Sequence, residues 1–383
     1  MSIPHTSVNA QSLNLHKRYG GKLEVRSKVP LKTKQDLSVA YTPGVAEVCR
    51  AIVKNPALAR TLTIKKNTVA VVTDGSAVLG LGNLGPLGAL PVMEGKCILS
   101  KELANLDAFP ICLDTQDTEE IIATVKHIAP VFGAIHLEDI SAPRCFEIEE
   151  RLKKELSIPV LHDDQHGTAV VVLAGLINAF KVKKMNIAKS RIVISGAGAA
   201  GTAITKLLLK YGVRNIMVCD RNGILNKMNT TLIGHKVALA RMTNPELKSG
   251  DLSDAIKGAD VFIGVSGSNL LTPSMVQNMN PKSVVFALAN PDPEILPNVA
   301  KLAGAFIVAS GRSDFPNQVN NVLAFPGIFR GALDNRVTTI TPAMLMNAAK
   351  KLAAYVKNPT PDRILPDALD KGVVKVVASA IRN

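Results

Sequence analysis

The sequence predicts an α/β protein of two successive parallel-sheet units, and three observations carry that reading. Short apolar runs ending in acidic residues alternate with amphipathic stretches between residues 68 and 164. The alternation restarts near residue 191, after one long apolar segment. A glycine-rich loop with the spacing of a dinucleotide-binding turn opens this second series. Strand–helix–strand alternation builds parallel sheets, and such sheets bind ligands at the carboxyl ends of their strands.

In chain order, "TVAVVTD" (68–74) reads as a buried strand, followed by the glycine-rich "GSAVLGLGNLGPLGALP". "AFPICLD" (108–114), "GAIHLED" (133–139) and "IPVLHDD" (158–164) are further strands, each ending in acid. Between them, "DTEEIIATVKHIAPVF" is a helix capped by Asp117 and Thr118 with acids in its first turn. "APRCFEIEERLKKEL" is a second helix, laced by Glu/Lys pairs at helical spacing. "GTAVVVLAGLINAFKV" predicts a long buried helix, with Thr168 near its start. "RIVISGAG", "NIMVCD", "ADVFIGVSG", "SVVFALANPDPE" and "AFIVASG" follow as strands, then "TPAMLMNAAKKLAAYV" and "DKGVVKVVASAIRN" as helices. The expected division is an N-terminal unit, 1–163, and a second unit, 164–383, whose last helices pack back on the first.

Composition narrows the function. The 383 residues are enough for two cores, and the mean hydropathy of +0.19 is that of a soluble protein. The apolar stretches are too short and too flanked by charge to span a bilayer. The start has neither an apolar h-region nor an Arg-rich amphipathic pattern, so no targeting segment is expected. Five cysteines (49, 97, 112, 145, 219) form no C-x-x-C pair, which fits reduced thiols in the cytoplasm. The net charge of +14 comes without Trp and without aromatics among the lysine clusters. Solvated basic faces, or a field that concentrates small anions, explain it better than nucleic-acid binding.

The pattern G-x-G-x-x-G occurs twice. In Gly80-Leu-Gly82-Asn-Leu-Gly85, Pro86 and Pro91 follow at once and argue against a helix start. Gly196-Ala-Gly198-Ala199-Ala-Gly201 follows a strand and opens a helix, and Asp220 ends the next strand. The three glycines give the tight turn, the close approach to a pyrophosphate and the helix–strand contact of a Rossmann-type site. Asp220 favours NAD over NADP by repelling a 2′-phosphate, although the adjacent Arg221 leaves NADP open.

"LHDDQHGTAV" (161–170) sets Asp163 and Asp164 side by side, and Glu138-Asp139 is a second such pair, also at a strand end. Two pairs converging suit a hard divalent cation, Mg²⁺ or Mn²⁺. The competing reading, zinc on His162 and His166, needs both rings on one helix face at a strand-to-helix junction.

"YTPGVAEVCR" (41–50), "VVTDGSAVLGLGNLG" (71–85), "PVMEGKCIL" (91–99), "HLEDI", "HDDQHGTA", "GAGAAG", "ALANPDPE" and "NNVLAFPG" together resemble malic enzyme of the short bacterial type, over nearly the whole chain. The resemblance implies an N-terminal malate- and metal-binding unit ahead of a Rossmann-type NAD(P) unit, and oxidative decarboxylation of L-malate to pyruvate and CO₂. It implies Glu138, Asp139 and Asp164 as metal ligands, with Asp163 the acid beside them. Lys96 would be the base for the C2 hydroxyl, its pKa lowered by a cation and by desolvation, and Tyr41 the acid that protonates C3. Asn290 and Asn321 would hold the substrate carboxylate, with Asn290 also near the cofactor. Ala77 stands where animal relatives carry a carboxylate-binding arginine, and the phosphotransacetylase-like extension of some bacterial relatives is not expected. A homodimer or larger homo-oligomer is expected, with Tyr41 approaching a partner's site. Two rivals stand beside this reading: a metal-independent amino-acid-type dehydrogenase, and an NAD-sensing or nucleic-acid-binding protein without catalysis.

Overall fold

The computed structural model describes residues 7–383. Residues 1–6, part of the stretch read for a targeting segment, lie outside the described residues. The first sheet holds β1 (Thr68–Thr73), β2 (Asp107–Cys112), β3 (Ala134–Leu137) and β4 (Val160–His162), in the order β2-β1-β3-β4 and all parallel. Every residue of β1, β3 and β4 is buried. A parallel sheet covered by helices on both faces requires this, and it is why these strands read as unbroken apolar runs.

The second sheet holds β5 (Arg191–Ser195), β6 (Asn215–Asp220), β7 (Gly223–Ile224), β8 (Val261–Gly264), β9 (Val284–Ala287) and β10 (Ile307–Ser310). Its order is β10-β9-β8-β5-β6-β7, with only the short β7 antiparallel. The chain leaves β5 to one side and later crosses to β8 on the other. That reversal opens a crevice at the carboxyl ends of β5 and β8, the usual ligand position in such sheets.

One helix, Asp163–Lys183, joins the sheets, starting directly after β4 and running 21 residues, about 31 Å at the helical rise. Its apolar body shares one core with Val69, Leu106 and Leu161 of the first unit and Ile192, Val261 and Phe286 of the second. The helices Phe325–Asp334, Pro342–Tyr355 and Lys371–Ala378 bury their apolar faces in the same core. So the C-terminal helices reach both sheets.

The loop of the first glycine pattern departs from expectation. A 20-residue helix, Gly85–Ala104, starts there with Pro86 in its first turn and Pro91 inside it. Proline is harmless in a first turn, because the N–H it lacks has no partner there anyway.

The N-terminal helices Val8–Tyr19, Lys34–Ala40 and Val45–Lys54 contain no buried residue. Val25, Val29, Leu31, Val39, Tyr41 and Val53 all stand more than half exposed along this segment. Among the described residues no helix is long and apolar enough to cross a membrane.

Candidate active site

The carboxyl ends of β3 and β4 lie side by side, Leu137 opposite His162, so the residues just beyond them meet. Glu138-Asp139 and Asp163-Asp164 are those residues. Gly167, one turn after Asp163, makes room for its carboxylate: a Cβ at 167 would collide with Asp163 Oδ1.

Lys96 enters from the Gly85–Ala104 helix. Its Nζ lies 2.6 Å from Asp163 Oδ2, 2.9 Å from Glu138 Oε1 and 3.1 Å from Asn321 Oδ1. Burial alone would pull the lysine pKa down. The charges of Asp163, Glu138 and Asp164 outweigh burial and hold it above its ordinary value. Desolvation, one of the two expected causes of a lowering, is present, and the three carboxylates oppose it by stabilising the ammonium. Burial pushes Asp163 up to about 6 against the pull of Lys96, so the two form an ion pair at neutral pH.

His136 was not singled out from the sequence, yet strand alternation puts it on the same face as Glu138, two residues on. Its Nε2 lies 2.6 Å from Glu138 Oε2, and the ring stacks on Phe329 and tilts against Phe325. Burial lowers its pKa to about 4, so the ring is neutral beside Glu138.

Asp139 adopts a left-handed backbone, φ 53°, uncommon for a non-glycine residue and of the kind that clusters at functional sites. Its N–H donates to Asp164 Oδ2 at 2.8 Å, and its carbonyl accepts from Ala77 N at 2.9 Å. That second contact brings the Ala77 loop to the site. Oxygen atoms of Glu138, Asp139 and Asp164 lie within 4.8 Å of one another, and Asp139 Oδ2 is buried without a hydrogen-bond partner. Burial, then the charge of Asp164, pushes both Glu138 and Asp139 up. Three crowded acids and an orphaned oxygen fit a hard divalent cation, which offsets their repulsion and fills the missing contact.

The two histidines of the zinc reading part company. His166 Nε2 lies 2.9 Å from Glu149 Oε2, while the His162 ring is fully buried with its Nδ1 3.8 Å from Asp164. Among the described residues neither ring belongs to a cluster of ligand atoms that could hold an ion, so the geometry does not support zinc on this pair.

In the second unit, Gly196 has φ 124° and its N–H donates to Cys219 O, closing the turn after β5. A Cβ at Gly196 would sit 2.7 Å from Val265 O, and one at Gly201 would collide with Gly196 O. Beside Gly198 there is open space, at the start of the helix Ala199–Tyr211. Turn, open face and helix start together fit a pyrophosphate. Asp220 ends β6, its Oδ2 2.5 Å from Lys236 Nζ, a cation the sequence reading missed; Arg221 stands exposed. Asn290 packs its backbone carbonyl on Gly80, which ties the cofactor unit to the first glycine loop. Fully buried Glu294 accepts the N–H groups of Ser266 (3.2 Å) and Ala289 (3.1 Å), fixing the loops after β8 and β9. Arg144, also missed, pairs with Asp74 at 2.8 Å beside the Ala77 loop. Tyr41, by contrast, is 67% exposed and outside the buried cluster.

The family model for the malic enzyme N-terminal domain matches residues 20–153, and that for the malic enzyme NAD binding domain matches 165–381. A NAD-dependent malic enzyme of Geobacillus stearothermophilus is 55% identical over 376 residues, covering 98% of this chain and 78% of the relative. A bifunctional malic/malolactic enzyme of Bacillus subtilis is 53% identical, covering 98% of this chain and 92% of the relative. The crystal structure of a NAD-dependent malic enzyme from Thermotoga maritima superposes with a TM-score of 0.94 at 51% identity, over 99% of this chain and 100% of that one. With both domains matched in order around a buried carboxylate cluster, the chain belongs to the malic enzyme family.

Proposed function

We infer that the chain carries out the reaction of its family, oxidative decarboxylation of L-malate to pyruvate and CO₂ with reduction of NAD(P)⁺. One observation carries this reading to the residues: Lys96, Asn321 and two acid pairs meet in one buried place beside a Rossmann-type crevice. When bound by Glu138, Asp139 and Asp164, a divalent ion supplies Lewis-acid stabilisation of negative charge on the substrate oxygen. NAD(P)⁺, held at Gly196, Gly198, Ala199, Gly201 and Asp220 with Asn290 close by, supplies the hydride acceptor.

Lys96 Nζ first gives its extra proton to Asp163, 2.6 Å away, and as the neutral amine then takes the proton of the C2 hydroxyl, while Asp163 keeps Nζ oriented. Asn321, bonded to the same Nζ, and Asn290 position the substrate carboxylate. His136 shares a hydrogen bond with Glu138 and keeps that side chain aimed at the cluster. Tyr41 supplies the proton that C3 takes up after CO₂ leaves. Because Tyr41 is exposed on an apolar N-terminal segment, we assign it to the site of a second copy, which makes the working form a homodimer or larger. The unit boundary falls between residues 163 and 164. A metal-independent dehydrogenase would leave the buried acids without a purpose.

The test is reduction of NAD⁺ and of NADP⁺ by purified protein with L-malate, with Mn²⁺ and after chelation. Turnover only with metal, and pyruvate as product, supports the reading. Turnover indifferent to chelation sinks it.

A further inference from the structure

A cleft of about 380 Å³ lies against Gln165, His166 and Ala169 of the Asp163–Lys183 helix. Its walls come from both units: Phe146 and Lys153 of the helix Arg144–Glu155, and Lys206, Leu207 and Lys210 of the helix Ala199–Tyr211. Leu345 of the helix Pro342–Tyr355 adds to its apolar floor. A second cleft of about 480 Å³ adjoins it across Lys210 and runs between the same two helices to Lys350.

The charges facing the cleft are uneven. Glu149 is answered by Lys153 at 2.6 Å and His166 at 2.9 Å, and Glu150 by Lys154 at 2.6 Å. Lys206 and Lys210 stand one turn apart on one helix face, exposed, and form no ion pair among the described residues. Lys206 lies within reach of the charge of Glu150, which Lys154 already pairs, and Lys210 has no such partner; the surplus of positive charge above an apolar floor matches an anion that carries an apolar body.

Glu149 is 5% exposed and forms the deep wall. Its Oε1 accepts the His162 N–H at 2.9 Å, at the junction that launches Asp163 and Asp164. The cleft therefore touches both units and the support of the acid pair, without including any residue assigned above to catalysis.

We propose that this cleft is a second ligand site, for a small organic anion with an apolar chain or ring whose anionic end sits on Lys206 and Lys210. The occupant holds the two units together and stabilises the folded chain.

The experiment titrates 8-anilinonaphthalene-1-sulfonate into wild type saturated with NAD⁺ and Mn²⁺, so that the dinucleotide site is filled. We expect saturable binding of one probe per chain, displaced by octanoate, with a rise in Tm. The Lys206→Ala/Lys210→Ala variant changes only exposed side chains, and it should bind the probe roughly tenfold more weakly, losing two charge contacts. Its NAD⁺ affinity should match wild type, which reports an intact fold. Equal probe affinity in the double variant overturns the proposal. So does probe binding that disappears when NAD⁺ is present, or no saturable binding by wild type at millimolar probe.

Discussion

The ammonium of Lys96 donates to the carboxylate of Asp163 at 2.6 Å, across 67 positions of sequence. Neither group is more than 10% exposed, so the charge of each is tolerable inside the protein because it is paired there, Lys96 with Glu138 as well.

Lys96→Ala should lower kcat by roughly 10²- to 10⁴-fold, the usual share of a positioned acid–base group. It should also destabilise the metal-free protein by about 3 to 5 kcal/mol, since buried carboxylates lose their counter-charge. Mn²⁺ and NAD⁺ binding should persist. Steady-state kinetics beside calorimetric titration checks all three, and an unchanged kcat would remove Lys96 from the chemistry.

Asp164→Asn should weaken Mn²⁺ binding steeply and take kcat down with it, because it removes one of the three proposed protein ligands. Asp163→Asn should keep the metal and slow turnover, since Asp163 bears on Lys96 rather than on the ion. Wild-type Mn²⁺ affinity in Asp164→Asn would overturn the ligand set.

Asp220→Ala should cost more affinity for NAD⁺ than for NADP⁺. The change removes the ribose acceptor and frees Lys236, now 2.5 Å from that carboxylate, to meet a 2′-phosphate. Lys236→Ala in the same background should take back any gain in NADP⁺. Equal losses for the two cofactors would show that Asp220 does not read the ribose.

Glu294 ties stability to pH. Burial raises its pKa from 4.5 to about 7, with the backbone N–H groups it accepts opposing the rise. A carboxyl that binds its proton more tightly folded than unfolded adds stability below the unfolded value. That contribution is lost as pH climbs through the window from 4.5 to about 7. The loss amounts to about 3 kcal/mol, and Glu294→Gln should remove that part of the pH profile in urea melts. Parallel wild-type and variant profiles would refute it.

If the working form is the proposed homo-oligomer, the Tyr41→Ala and Lys96→Ala proteins should each be nearly inactive. Mixed and re-equilibrated, they should recover turnover, because a mixed dimer holds one site with both groups if Tyr41 acts on its partner. A mixture that stays inactive would place Tyr41 in its own subunit's site.

Much of this architecture was legible in the sequence, for identifiable reasons. Strands of a covered parallel sheet are buried on both faces, so the mainly apolar runs of β1, β3 and β4 stood out, and the acid pairs follow β3 and β4 in single unbroken motifs. Groups that act through distant partners did not show. Lys236 reaches Asp220 from a different element, and Arg144 reaches Asp74 over 70 positions; Asn321 was named through the resemblance, but its bond to Lys96 over 225 positions was not. Pro86 misled because its cost depends on where in the helix it falls, and the start of the Gly85–Ala104 helix was not marked by a capping side chain. His136 was within reach: it shares the strand face of Glu138.

The helix Asp163–Lys183 makes the protein hard to divide. Its first turn completes a cluster begun by Lys96, Glu138 and Asp139, while its body is core to both sheets. A chain cut just before it would leave one fragment with a base and two acids but no Asp163 or Asp164, and another with a cofactor crevice and no substrate floor. Recombination between relatives at that point inherits the same problem, because each parent's half must dock on a helix shaped by the other's neighbours. Crossovers in the exposed N-terminal segment carry no such penalty within a single chain.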